Sequence, residues 1–223
     1  MRIAGVIIAG GKSSRMGEEK ALMMLAGKPL LSHIIERVEP QVTVVIVNAN
    51  GDASRFVQFG LNVIRDSRDD IGTPLAGIHA ALSWARGNRF DGVLAVPSDA
   101  PFLPRDLAAR LEGPEAAVAS SGSQTHYLTG FWPTDLVHIL EKALAQSRHS
   151  RESGNPALVA KESGAPAFAR VTDNSRTVRV QDWVAACHAR IVEWPARPFD
   201  PFFNVNTPED LAEAARIAAK FAP

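Results

Sequence analysis

A glycine-rich, cationic loop, Ala9-Gly10-Gly11-Lys12-Ser13-Ser14-Arg15-Met16-Gly17-Glu18-Glu19-Lys20, follows directly on the first apolar run, Ile3–Ile8. Backbone N–H groups come close to a ligand only where no side chain intervenes, and paired glycines provide that opening. Lys12, Arg15 and Lys20 add positive charge to the same loop. A buried strand feeding such a loop is a phosphate-binding arrangement, and a nucleotide is the ligand it suits. The alternative is a glycine turn with solvated charges. The loop is not a P-loop: G-x-x-x-x-G-K-[ST] requires its leading glycine one residue after Gly5, and there is no G-x-G-x-x-G either.

The second constellation is Pro97-Ser98-Asp99-Ala100-Pro101-Phe102. Asp99 comes just after the apolar run 92–96. In open parallel sheets, ligands bind beyond the carboxyl ends of strands, where the strand order reverses. A lone carboxylate there suits Mg²⁺, which keeps waters and takes one or two carboxylates plus substrate phosphates. The competing role is a cap for a helix over 105–111. Asn48-Ala49-Asn50-Gly51 and Asp66 follow further β-branched runs and fall on the same edge. Asparagine offers both donor and acceptor to a base or ribose, although Asn-Gly is equally a turn former. Asn204 and Asn206, two residues apart, point to one side if extended.

The elements that must position these groups alternate. Strands are expected at Ile3–Ile8, 43–47, Asn62–Ile64 and 92–96. Helices are expected at Leu30–Val38, over 52–59 behind an Asp52 cap, and from Thr73-Pro74 toward Trp84. Short loops between them imply a mostly parallel sheet with helices on both faces, an α/β fold. Later segments read as strands at 116–120, 127–132 and 189–194, with helices at 134–145, 178–186 and from Thr207-Pro208 to Phe221. The stretch 147–174 is rich in Ser, Arg, Gly, Pro and Asn, and Arg151–Ala157 nearly repeats as Lys161–Ala167. It reads as a flexible surface insertion in a single domain spanning 1–223.

Composition narrows the function. Lys plus Arg and Asp plus Glu both number 24, so nothing predicts a nucleic-acid partner. No apolar run approaches the ~20 residues of a membrane span, and the first apolar run is too short for a signal peptide. Cys187 is the single cysteine, which excludes an internal disulfide or a thiolate metal cluster. A cytoplasmic location is expected. The histidines show no i, i+4 pairing and nearly all suit core or surface roles; His126, just before an expected central strand, is the exception.

In order, A-G-G-x-S-x-R-M-G-x-x-K, N-A-N, D-x-x-x-x-x-x-x-P-L-A-G, P-x-D-x-P and N-x-N-T-P-E-D-L resemble the molybdenum cofactor guanylyltransferase family, over most of the chain outside 147–174. The resemblance implies a Rossmann-like nucleotidyltransferase fold and transfer of GMP from GTP to the terminal phosphate of molybdopterin or molybdenum cofactor, with release of pyrophosphate. It places Ile8, Ala9, Gly10 and Gly11 against guanine and the phosphates, Lys20 on the phosphates, and Asn48 and Asp66 in the guanosine site. It places Asp99 on GTP and Mg²⁺, Arg15 near the pyrophosphate, and Asn204 and Asn206 on the pterin side. An acceptor molybdoenzyme or its chaperone is the implied recipient of the product. The chain departs from the family where His126-Tyr127 replaces a frequent His-Pro, and at 147–174, where the family has a short connection.

Arg15, Lys20 and Asp99 are the expected catalytic residues. A phosphate nucleophile is already ionised, so no general base is required, and the work is positioning and charge neutralisation. Two rivals remain at this level. Cytidylyl- and sugar-phosphate nucleotidyltransferases share the loop logic, although in the family comparison A-G-G favours guanine over cytosine. A non-catalytic nucleotide-binding protein for cofactor delivery would keep the fold without the reaction.

Overall fold

The computed structural model describes residues 1–9, 20–67, 73–152 and 178–221. Strand β1 (Ile3–Ile8) is apolar and buried throughout, as a central parallel strand must be when both its faces are covered. A short hairpin, β2 (Met24–Leu25) and β3 (Lys28–Pro29), turns through Ala26 and Gly27, both at positive φ. That is the demand of a two-residue hairpin loop. Helix α1 (Leu30–Val38) then leads to β4 (Val44–Asn48) and, through a 3-10 helix capped by Asp52, to β5 (Asn62–Ile64). Helix α2 (Pro74–Gly87) opens with Thr73 at the N-cap and proline at the first helical position, where its missing N–H costs nothing.

Strand β6 (Gly92–Pro97) and the short α3 (Leu107–Leu111) precede β7 (Ala117–Ser121) and β8 (Gln124–Pro133). Helix α4 (Val137–Glu152) follows a single 3-10 turn. It runs on into the stretch read as an insertion from 147, because no glycine or proline stands before Gly154 to stop it. The rest of that stretch lies outside the described residues. The chain closes with α5 (Val180–Ala186), β9 (Arg190–Trp194) and α6 (Pro208–Phe221).

The main sheet has seven strands in the order β5-β4-β1-β6-β8-β7-β9. Strands β5, β4, β1 and β6 are mutually parallel, β8 is antiparallel to both its neighbours, and β9 is parallel to β7. The chain moves outward from β1 to β4 and β5, then returns to the other side of β1 with β6. The switch point therefore lies between β1 and β6, whose last residues Ile8 and Pro97 face each other.

Side-chain alternation splits the core into two layers. Ile3 and Ile7 of β1 and Leu94 and Val96 of β6 pack with α1 and α3; Ala4, Val6 and Ile8 pack with Val93, Ala95, α2, α4 and α5. Helices thus cover both faces, as the strand and helix alternation requires. A third cluster joins Leu25 and Leu30 to Phe102, Val205 and the inner face of α6. It anchors the carboxyl-terminal helix beside the hairpin.

Candidate active site

At the β1–β6 switch point the structure brings Lys20 and Asp99 together, with Nζ 3.8 Å from Oδ2, in a cleft of about 350 Å³. Ile8 and Ala9 line its floor, and Asn204 lines one wall. Asp99 sits immediately past β6; Lys20 opens the 3-10 turn Lys20–Leu22 at the end of the first loop. Both side chains are only about one-fifth exposed (19% and 21%). Burial pushes the Asp99 carboxyl above its ordinary range, and Lys20 pulls it back in part.

The alternative role for Asp99 as a helix cap does not apply: Asp106 occupies the N-cap of α3, with no side-chain cap bond. Instead the Asp99 carbonyl accepts from Val205 N–H at 2.8 Å. That bond draws the segment 204–206 across the cleft. Lys20 Nζ donates to Asn206 Oδ1 at 2.6 Å. The segment is itself held by α6: Asp210 accepts from the Asn206 and Thr207 amides at 2.9 Å, and Thr207 Oγ1 accepts from Asp210 N–H at 3.1 Å. This is a reciprocal cap at the helix start.

Asn48 and Asp66 meet each other rather than the wall around Asp99. Asn48 is fully buried; its Nδ2 donates to Asp66 Oδ1 at 3.0 Å. Asn50 completes the latch, donating to Asp66 Oδ2 at 2.7 Å and accepting from the Asp66 amide at 3.0 Å. Gly77 of α2 lies against Asn48, and a Cβ there would overlap Asn48 Oδ1. That oxygen has no hydrogen-bond partner among the described residues. The latch stands at the ends of β4 and β5, on the opposite side of β1 from β6. Gly10, Gly11 and Arg15 lie outside the described residues.

The far wall comes from β8. Val118 faces Gly130, but the next residue, Ala119, faces His126. Tyr127–Thr129 therefore bulge out of the β7 ladder, and they line the cleft with Gln124, Thr125 and His126. Bulges re-aim side chains in this way beside active sites. His126 is 8% exposed and its Nε2 lies 2.7 Å from Ser121 Oγ, which donates to Asp200 Oδ1 at 2.8 Å. Sequence reasoning singled out His126 but missed Ser121, Asp200 and the bulge. Ser121 and Asp200 are 79 residues apart and meet only through the fold.

Among the described residues no group of three His, Cys, Asp or Glu side chains could hold a metal ion. A divalent cation at this cleft would rest on Asp99 and on substrate phosphates, a set that suits Mg²⁺. The buried carboxylate fits that role: among the described residues, the cation paired with it is Lys20, at ion-pair distance and too far for a direct hydrogen bond. Among the described residues no helix is long and apolar enough to cross a membrane.

Residues 5–160 match the family model described as the MobA-like NTP transferase domain. A molybdenum cofactor guanylyltransferase from Nitrobacter hamburgensis is 40% identical over 96% of this chain and 94% of its own length. One from Rhodobacter capsulatus is 36% identical over the whole of both chains. A solved structure of molybdopterin-guanine dinucleotide biosynthesis protein A from Archaeoglobus fulgidus shares the fold, with a TM-score of 0.63 and 23% identity over 99% of this chain and 100% of that one. The parallel core, the cleft at the switch point and the near-full-length similarity agree: the chain belongs to the molybdenum cofactor guanylyltransferase family of MobA-like nucleotidyltransferases.

Proposed function

We propose that this protein transfers GMP from GTP to the terminal phosphate of molybdopterin or molybdenum cofactor, forming the guanine dinucleotide and releasing pyrophosphate. The observation that carries the reading is the Lys20–Asp99 pair in one cleft at the β1–β6 switch point, in a chain whose relatives are named for that reaction.

The triphosphate lies over Ile8, Ala9 and the loop with Gly10 and Gly11. Lys20 neutralises its phosphates, and Arg15 stabilises charge on the departing pyrophosphate. Guanosine extends toward β4 and β5. Asp66, fixed by Asn48 and Asn50, keeps spare lone pairs for the N–H edge of guanine. Asn48 is buried and acts by holding Asp66.

Asp99 would hold Mg²⁺, which supplies Lewis-acid polarisation of the α-phosphate when bound. The pterin phosphate approaches from the wall formed by Asn204 and β8, attacks the α-phosphorus, and the α–β bridging oxygen leaves with pyrophosphate. The nucleophile is already anionic, so orientation and charge compensation account for the rate. The product would pass to an acceptor molybdoenzyme or its chaperone. A cytoplasmic setting fits this traffic.

The test is incubation with molybdopterin, Mg²⁺ and each of GTP, CTP, ATP and UTP in turn, reading product mass and pyrophosphate. A guanylylated pterin from GTP alone is expected. Equal product from CTP, or no pyrophosphate from any nucleotide, overturns the reading.

A further inference from the structure

Thr129 carries a hydroxyl that the rest of the protein does not use. The residue is 1% exposed and lines the cleft, yet its Oγ1 makes no hydrogen bond among the described residues. Burying a hydroxyl without a partner is costly, and valine would fill the same space without that cost. Asn48 Oδ1 and the indole N–H groups of Trp132 and Trp183 are unpartnered and sealed from solvent. Thr129 Oγ1 is not sealed: the little surface the residue keeps is at this atom, and it opens on the cleft.

The fold accounts for its place. The ladder between β6 and β8 ends at the pair Ala95 and Gly130, and the ladder between β7 and β8 skips from Gly130 to His126. Thr129 is thus the bulge residue nearest the paired strand, one step past Ala95 on the flank of β6 that leads into Asp99. Branching at Cβ restricts its χ1, so the hydroxyl is presented to a ligand with little freedom left to lose.

The chemistry of the cleft selects that ligand. Lys20 is the only lysine or arginine among the described residues that line it, and it is engaged by Asn206 and Asp99. A second anion on the β8 side must then be held by neutral donors. A hydroxyl suits an attacking phosphate: it orients one oxygen without the full neutralisation a cation would impose on the nucleophile.

Building on the guanylyl-transfer reading, we propose that Thr129 Oγ1 donates a hydrogen bond to a non-attacking oxygen of the acceptor's terminal phosphate and so orients that phosphate in the cleft. The hydroxyl keeps its proton throughout.

Thr129→Val removes the donor and keeps the shape. In a titration with molybdopterin and no nucleotide, it should bind about tenfold more weakly than the wild type, the loss of one net hydrogen bond. Thr129→Ser, which restores the hydroxyl, should recover most of that affinity. Molybdopterin stripped of its phosphate should bind Thr129→Val and the wild type equally. Unchanged molybdopterin affinity in Thr129→Val, or an equal loss for the dephosphorylated pterin, overturns the proposal. Thermal melts separate binding from structure: with no internal partner to lose, Thr129→Val should melt at or above the wild-type temperature, and a fall of several degrees overturns the proposal. None of these measurements needs turnover. A wild type that binds molybdopterin but makes no guanylyl product sinks the functional reading, while the titrations still decide the Thr129 contact.

Discussion

Lys20 Nζ donates to Asn206 Oδ1 at 2.6 Å, a bond that spans 186 residues of sequence. It holds the ammonium at 3.8 Å from Asp99 rather than letting it collapse onto the carboxylate. The Lys20 ammonium is therefore set by the carboxyl-terminal segment as much as by its own loop. Lys20→Ala should cut kcat by ~10²–10³, the usual cost of a lost transition-state donor. Asn206→Ala should cost about tenfold, since the charge remains but is less well placed. Because Asn206 is exposed, its melting temperature should scarcely move. Initial rates with saturating GTP, alongside thermal melts, check both.

The Asp99 carboxyl has a raised pKa through burial. Its folded-state value exceeds the unfolded one, so the stability it contributes is full below the unfolded pKa and is lost as pH rises through the folded one. A divalent cation held by Asp99 would run the other way, binding more strongly as the carboxyl ionises over that rise. Removing the opposing charge with Lys20→Met should move the midpoint higher still. Mn²⁺ affinity measured against pH should show a midpoint above the ordinary carboxylate range in the wild type, a higher one in Lys20→Met, and no such transition in Asp99→Asn.

Gly77 offers a diagnostic sign. Within a helix, Gly→Ala ordinarily stabilises by ~1 kcal/mol. Here the new methyl would overlap Asn48 Oδ1, so Gly77→Ala should instead destabilise by ~1–3 kcal/mol, the cost of overpacking. It should also weaken GTP, because Asn48 holds Asp66 at 3.0 Å. Denaturant melts and a GTP titration would show both effects together.

The lone thiol reports on folding. Burial pushes the Cys187 pKa up to about 12, so almost no thiolate exists near neutrality. Native protein should react with a thiol reagent far more slowly than denatured protein at the same pH. Reaction at the unfolded rate in native buffer would contradict the packing around α5.

The first half of the fold was legible because its strands are apolar runs, α1 carries apolar residues at helical spacing, and α2 opens on a side-chain cap. Thr73 accepts from Leu75 N–H at the start of α2, as its place before Pro74 implied. Strand direction was not legible. The run of apolar residues in β8 gives no sign that it enters antiparallel between β6 and β7, since periodicity carries no polarity. The β2–β3 hairpin was missed despite Gly27, because its strands are two residues each. At the site, Lys20 and Asp99 were readable from their loops, whereas Ser121 and Asp200 were not. A serine and an aspartate 79 residues apart look like any surface pair until β7, β8 and β9 bring them together.

The sheet order keeps the Asn48–Asp66 latch and the bulged wall of the cleft on separate strands. Asn48 and Asp66 stand beyond β1 on one flank; the β8 bulge and Asn204 stand beyond β6 on the other, with Lys20 and Asp99 at the seam. Substitutions on either flank can accumulate while the other keeps its geometry. On the proposed assignment of guanosine to the first flank and the pterin to the second, one reactant would be exchanged by redecorating a single side, and base preference and acceptor preference would evolve as independent traits.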